Sequence, residues 1–353
     1  MNEQISKLQQ ELYSTLKQAE KNKGKIRVFR VFCYGGALLY FIGIILMQVI
    51  VYSGINTSFF FTSNPNPTFW EQFRIPIIII PLFVLITIGS YGLSVYYRKF
   101  AQAEQSSIRR IIKTMFPDAK LALLPSEISA FLLRQSNFFC GMDNLSGYCY
   151  GMIIFENNGR KITFRDIVIN TAKHQNWLTQ SYLGTFFLVF KMMFKGIFGA
   201  RVENIASNFR GMFANSQLEK KINGSVVVLP DHLESHLDYL AKNIQALKNV
   251  NGNKLVRLED VEFERYFAVY ASDEITARYV LTPAMMFRIT ELKKKYNRDI
   301  MLSFSGNNFF FAVAMAEGFL TLGNSSLTSD EALKDLYDNI VTTQGILDDL
   351  KLN

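Results

Sequence analysis

Histidine and cysteine are scarce, with only three of each in 353 residues. Three cysteines make no disulfide framework. Cys33 falls inside a long apolar run, and Cys140 and Cys149 are expected as reduced, structural thiols. His232 and His236 stand four apart with Glu234 and Asp238 nearby, but the run reads HLESH rather than HExxH. The remaining histidine, His174, is remote in sequence, so no metal set is expected. There is also no GxxxxGK[ST] loop, no GxSxG elbow and no paired carboxylates in a readable frame. These absences remove P-loop nucleotide hydrolysis, serine-hydrolase chemistry and zinc catalysis as readings, and no cofactor is implied. If the chain is an enzyme, the first acid–base candidates are Asp166, Glu262, Glu264, His232 and His236.

Charge is missing altogether from two places. Val31–Tyr52 and Ile75–Tyr97 carry no charged residue. Each exceeds the roughly 20 residues that cross a ~30 Å hydrocarbon core, so two membrane-spanning helices are predicted. The chain is basic, with a formal charge of +8. Much of that charge flanks these stretches: Lys21, Lys23, Lys25, Arg27 and Arg30 before the first, Arg98 and Lys99 after the second. The connection 53–74 holds only Glu71 and Arg74. Positive flanks place both tails in the cytoplasm and the connection outside, as for a two-pass protein of a bacterial inner membrane. Tyr52, Trp70, Phe73, Tyr96 and Tyr97 sit where interfacial aromatics belong. Basic residues gathered beside apolar runs point to anionic lipid rather than nucleic acid.

The remaining chain separates into residues 1–30, an amphipathic cytoplasmic helix with Ile5, Leu8, Leu12 and Leu16 on one side, and residues 98–353, a cytoplasmic domain. Helices are predicted over Arg98–Phe116 and Ser126–Arg134. Gly147–Phe155 and Lys161–Asn170 alternate like strands around an Asn158-Gly159 turn. Asn208–Ala214, Ser225–Leu229 and Phe263–Tyr270 read as further strands. Ile300–Ser305 and Phe309–Met315 read as a hairpin across Gly306-Asn307-Asn308. Helices are predicted over His232–Asn243, Glu274–Tyr279 and Pro283–Tyr296, the last opened by Thr282-Pro283. A final helix begins at the capping box of Thr328 and Glu331, with Leu333, Leu336, Tyr337 and Ile340 on its apolar face. Within the domain lies an apolar insert, 180–206. Its segment Tyr182–Gly199 holds Lys191 and Lys195 on one helical face. It fits a helix in the membrane plane with its lysines at headgroups, a flap or buried helix, or a third crossing. The fold class is therefore α+β: a transmembrane hairpin (31–52 and 75–97) followed by antiparallel β hairpins, as an open sheet or partly closed barrel, with packed helices.

The segment Val256–Val313 closely resembles the hallmark segment of an uncharacterised bacterial membrane family, domain of unknown function three-one-three-seven. The resemblance rests on Phe263, Glu264, Phe267, Val269 and Tyr270 in FERYFAVY, on Asp273, Ala277, Arg278 and Tyr279, and on Leu281, Thr282 and Pro283. Asn208-Phe209-Arg210-Gly211 resembles the family's FRG strand. The resemblance runs from about Lys113 onward and implies two membrane spans ahead of the domain. It transfers no catalytic residue. It implies a shared envelope process with LemA-like membrane proteins. From the residues alone the motif positions are structural, Glu264 pairing with Arg278. The leading expectation is a membrane-tethered interaction module that binds lipid, a protein partner or its own copy. The alternatives are a membrane-proximal enzyme acting on a lipid or small substrate, and a subunit of an oligomeric transport assembly.

Overall fold

The computed structural model describes residues 2–40, 42–43, 46, 74–142, 145–157, 160–171, 208–231, 240–249, 252–322, 327, 334, 336–338 and 340. The chain divides into two compact units: Met1–Tyr13 with Gln105–His174 and Ala206–Asn353, and Ser14–Glu104 with Gln175–Ile205. Two long helices, α1 (Asn2–Arg30) and α2 (Arg74–Met115), contribute residues to both.

The first unit is built on an antiparallel sheet. Its strands are β1 (Lys120–Ala122), β2 (Ser126–Glu127), β3 (Leu145–Asn157), β4 (Arg160–Thr171), β5 (Phe209–Pro230), β6 (Lys254–Val256), β7 (Phe267–Ala271) and β8 (Ile300–Ala314). They run β1-β3-β4-β5-β7-β6, with β2 on β3 and β8 on β5. β3 and β4 form the expected hairpin, from Leu145↔Thr171 to Asn157↔Arg160, with a bulge between Cys149 and Gly151.

The long strands β5 and β8 interlock. The first arm of β5 pairs with β4 along one edge and with Phe309–Ala314 along the other. The second arm pairs with β7 along one edge and with Leu302–Ser305 along the other. β8 doubles back at Gly306 (φ +59°), a left-handed position that glycine occupies without strain. The Phe304 and Phe309 rings lie 5.1 Å apart, and the Ala314 N–H donates to the Asp299 carbonyl at 2.9 Å. These two contacts share one hairpin register. An inner hairpin, β8, is thus inserted between the two arms of an outer one, β5.

Helices α3 (Ala130–Gln135), α4 (Leu240–Asn249), α5 (Val261–Tyr266), α6 (Glu274–Val280) and α7 (Pro283–Tyr296) complete this unit. On one sheet face Ile167, Ile169, Phe209, Phe213 and Phe310 share a core with Leu133, Phe138, Phe139, Leu240 and Leu247. Other aromatics form a chain. Phe116 meets Phe155 at 5.8 Å, Phe155 meets Phe164 at 5.7 Å, and Phe164 meets Phe319 at 6.4 Å. Tyr337 stacks on Phe116 at 6.0 Å, and Leu336 and Ile340 are buried, as the expected apolar face of the last helix requires.

Several local expectations are corrected. Phe263–Tyr270 is not one strand. The Asp260 carboxylate accepts from the Glu262 and Phe263 N–H groups, and this N-cap starts a helix that ends where β7 begins. Ser126–Arg134 begins as strand, pairing with Tyr148 and Cys149, and turns helical only at Ala130. Asn208–Ala214 and Ser225–Leu229 are the two arms of the single strand β5. The Asn158-Gly159 turn, the insert with Lys191 and Lys195, both candidate histidines and the Thr328–Glu331 box lie outside the described residues.

In the second unit, α1 continues through a π-helical turn, Val31–Gly35, and packs on α2. Leu16, Ala19, Ile26, Cys33, Ala37 and Phe100 are buried. Two glycines set the approach. A Cβ on Gly89 would lie 2.8 Å from Cys33 Cβ, and one on Gly92 would enter the Phe29 ring. Among the described residues no helix is long and apolar enough to cross a membrane. Of the expected spans, Val31–Tyr52 lies partly outside those residues, and Ile75–Tyr97 forms part of helix α2.

Candidate functional site

Three groups of residues carry the chemistry. The first is inside the sheet. Asp166 on β4 and Arg210 on β5 are diagonal neighbours, with side chains 1% and 4% exposed. Arg210 Nη2 donates to Asp166 Oδ2 at 2.9 Å, and Nη1 donates to Asp166 Oδ1 and to the Ile167 carbonyl at 3.0 Å. Asp166 Oδ1 also accepts the Phe319 N–H at 3.0 Å. The guanidinium lies 5.1 Å from the Tyr150 ring centre. Gly318, at φ +95°, lies against it, where any side chain would collide with Nη2. A bidentate pair with its lone pairs occupied is the arrangement that offsets desolvation. It ties β4, β5 and the turn at 315–319 together, and it leaves Asp166 no role as a general base.

Nearby, Cys149 is a free, buried thiol whose Sγ lies 3.2 Å from the Gly151 carbonyl. Burial pushes its pKa up, against a smaller lowering by a backbone hydrogen bond with Gly151. Such a thiol is inert. Cys140, also outside any disulfide, is half-buried, and its Sγ lies 3.6 Å from Asn137 Oδ1.

The second group is the set of resemblance residues on α5, β7, α6 and α7. Phe263, Phe267, Tyr270 and Ala277 are core. Glu264 accepts the Leu258 N–H at 2.6 Å and does not pair with Arg278. Arg278 instead bridges Glu274 and Glu259, both at 2.9 Å, and those hydrogen bonds, Glu274 first, raise its pKa. Asp273 caps α6 through the Thr276 N–H and hydroxyl, both 2.7 Å away, and these bonds lower its carboxyl pKa. Thr282 caps α7, with Pro283 in its first turn. Glu262 pairs with Lys294 at 2.7 Å. The acid–base candidates Asp166, Glu262 and Glu264 are therefore each engaged separately and do not converge. Tyr279 faces outward, 64% exposed beside Ile275 at 83%, and Asp273, Arg278, Thr282 and Pro283 are exposed as well. Among the described residues no group of three or more His, Cys, Asp or Glu could hold a metal.

The third group belongs to the helical unit. Val28, Val31, Phe32 and Leu39 on one helix, and Val84, Ile88 and Tyr91 on the other, are all exposed large apolar side chains. Immediately before and after them in sequence stand Lys21, Lys25, Arg27, Arg98 and Lys99, also exposed, with Lys23 and Arg30 half-buried. Lys25 Nζ lies 4.7 Å from the Tyr96 ring centre and donates to its hydroxyl at 3.4 Å; Lys99 Nζ is 6.0 Å from the same centre. Phe29 packs on Tyr96 at 5.5 Å.

Sequence reasoning singled out Asp166 but gave it no partner, and assigned no role to Arg210, Gly318 or Tyr150. The available signal was opposite charge within two apolar strand patterns, Asp166 in KITFRDIVIN and Arg210 in NFRGMFA. A buried charge of each sign asks for the other.

The model of the family described as "Protein of unknown function (DUF3137)" matches residues 207–352, and the chain resembles that family over this stretch. The match opens on the FRG strand and includes the capped helices α5 to α7. No curated protein matches the chain. Among solved structures, the crystal structure of the mycobacterial trehalose monomycolate transport factor A, TtfA, aligns with a TM-score of 0.36 and 10% identity, covering 69% of this chain and 95% of that one.

Proposed function

We propose that this chain, similar to the DUF3137 family over its C-terminal residues, is an integral membrane protein whose helical pair anchors the α+β unit at one membrane face as an interaction module. One observation carries the reading: a helical pair that shows Val31, Phe32, Leu39, Val84, Ile88 and Tyr91 outward. Exposed apolar side chains are ordinary when scattered, but a run of them on two packed helices, bounded by a basic and aromatic collar, matches a lipid-facing surface. The full stretches Val31–Tyr52 and Ile75–Tyr97 extend that surface to membrane thickness in sequence. An even number of crossings returns the chain to the side it left, which the basic flanks assign to the cytoplasm. Lipid is then the first partner. LemA-like membrane proteins and a second copy of the chain are the protein partners to seek.

The test is extraction of the full chain from membranes with alkaline carbonate. The protein stays with the pellet and is released by detergent. Recovery in the wash overturns the anchor. Co-purification in mild detergent then reports protein partners.

A further inference from the structure

We propose that Lys25, Tyr96 and Lys99 form a binding site for the phosphate group of an anionic membrane lipid. The inference rests on the anchoring proposed above and adds a specific headgroup site to it. Two ammonium groups from different helices converge on one tyrosine. Lys25 Nζ donates to the Tyr96 hydroxyl at 3.4 Å and sits 4.7 Å from the ring centre, while Lys99 Nζ approaches the same ring at 6.0 Å. Among the described residues neither lysine meets a carboxylate. Two ammonium groups on one ring raise the local positive potential, and a phosphate group offers several oxygens to accept from them.

The ring is held for the task. Phe29 packs on Tyr96 at 5.5 Å, and Phe29 itself fills the space left by the missing side chain of Gly92. The position selects a lipid over a soluble phosphate. Val28 follows Lys25 by less than one helical turn, and Tyr91 precedes Tyr96 by about one and a half turns. Both are exposed apolar residues, 68% and 73% accessible. A phosphate held by Lys25 therefore has the exposed apolar Val28 on the adjoining helical turn. The Tyr96 hydroxyl completes the site as a neutral donor, with Lys25 held against it in advance.

The experiment uses full-length protein in detergent, stripped of lipid and supplied with phosphatidylglycerol, read by native mass spectrometry. Wild type retains phosphatidylglycerol. Lys25→Gln with Lys99→Gln reduces retention by about tenfold or more. Tyr96→Phe, which keeps the ring and removes the hydroxyl, reduces it roughly threefold. Arg109→Gln with Lys113→Gln, at exposed positions of α2 beyond the collar, removes the same charge and changes retention by less than about threefold. Equal loss in both double variants, or no loss in the first, overturns the site. Displacement of the lipid by millimolar inorganic phosphate also overturns it, by showing a site that reads the anion alone. Carbonate extraction of every variant separates the two readings. A site variant that stays in the membrane but loses the lipid supports the proposal, whereas a wild-type chain that washes off removes the anchor beneath it.

Discussion

In the α+β unit charge goes inside and is satisfied; in the helical unit apolar side chains stay outside. Asp166 and Arg210 are sealed within the sheet, each oxygen and most donors engaged, while Leu39 and Ile88 are 71% and 57% exposed. Burial rules written for water describe the first unit directly. The second departs from them at its exposed apolar positions, which the proposed lipid contact would accommodate, since in hydrocarbon exposed leucine is favourable and exposed lysine is not. The contrast also separates two kinds of basic residue. Arg210 stabilises a fold, whereas Lys25 and Lys99 face outward from a collar.

Breaking the buried side of the contrast has the largest expected effect. Asp166→Ala or Arg210→Met leaves one charge buried without its partner and costs about 3–5 kcal/mol. Asp166→Leu combined with Arg210→Met recovers most of that, because no lone charge remains. Denaturant titration of the detergent-solubilised chain measures both. A double variant as unstable as the singles would show that the pair does more than neutralise itself. The exposed side is tested by Leu39→Lys and Ile88→Lys. In water such surface changes fall within about 0.5 kcal/mol, but near mid-bilayer each costs roughly 2.5–3.5 kcal/mol. Loss of carbonate-resistant protein would assign these positions to lipid, and unchanged fractionation with unchanged stability would return them to water. Gly318→Ala comes next, at about 1–3 kcal/mol, since it strains a positive-φ position and crowds the guanidinium. Its melting shift should shrink when Arg210 is already Met.

The smallest effect lies at the surface cap of α6. Hydrogen bonds from Thr276 hold the Asp273 carboxyl below its ordinary pKa. A group depressed in the folded state stabilises it above the unfolded pKa, and that contribution fades as pH falls through the folded one. Protection of the Thr276 amide from exchange should therefore decline below about pH 4, and Asp273→Asn should flatten the profile. A wild-type profile as flat as the variant's would remove the cap's charge from the account.

Much of the fold was legible because its signals are local. The β3–β4 hairpin, the Thr282-Pro283 helix start and the Gly306 turn each announce themselves within a few residues. Phe263–Tyr266 reads as strand by its alternation, while one cap, Asp260, decides for helix. The expected Glu264–Arg278 pair failed for a related reason: Glu264 turns back to a backbone N–H six residues earlier. The Asp166–Arg210 pair was illegible as a pair, since its members lie 44 residues apart and meet only through sheet register. The outward apolar positions were legible as composition, but which residues face out depends on how α1 and α2 pack.

The interlocked strands bear on how the sheet is assembled. The two arms of β5 lie on either side of β8, so β1–β4 with the first arm and β6–β7 with the second are joined across the sheet only by residues 300–314. Those residues emerge from the ribosome after β1 to β7. Until they arrive, each arm of β5 exposes an unpaired edge, an aggregation hazard in a nascent chain. Completion of the sheet therefore waits on nearly the whole length of the chain, which favours slow folding dominated by contacts distant in sequence. A chain stopped before β8 would leave the ribosome as two partial sheets joined by the bend of β5.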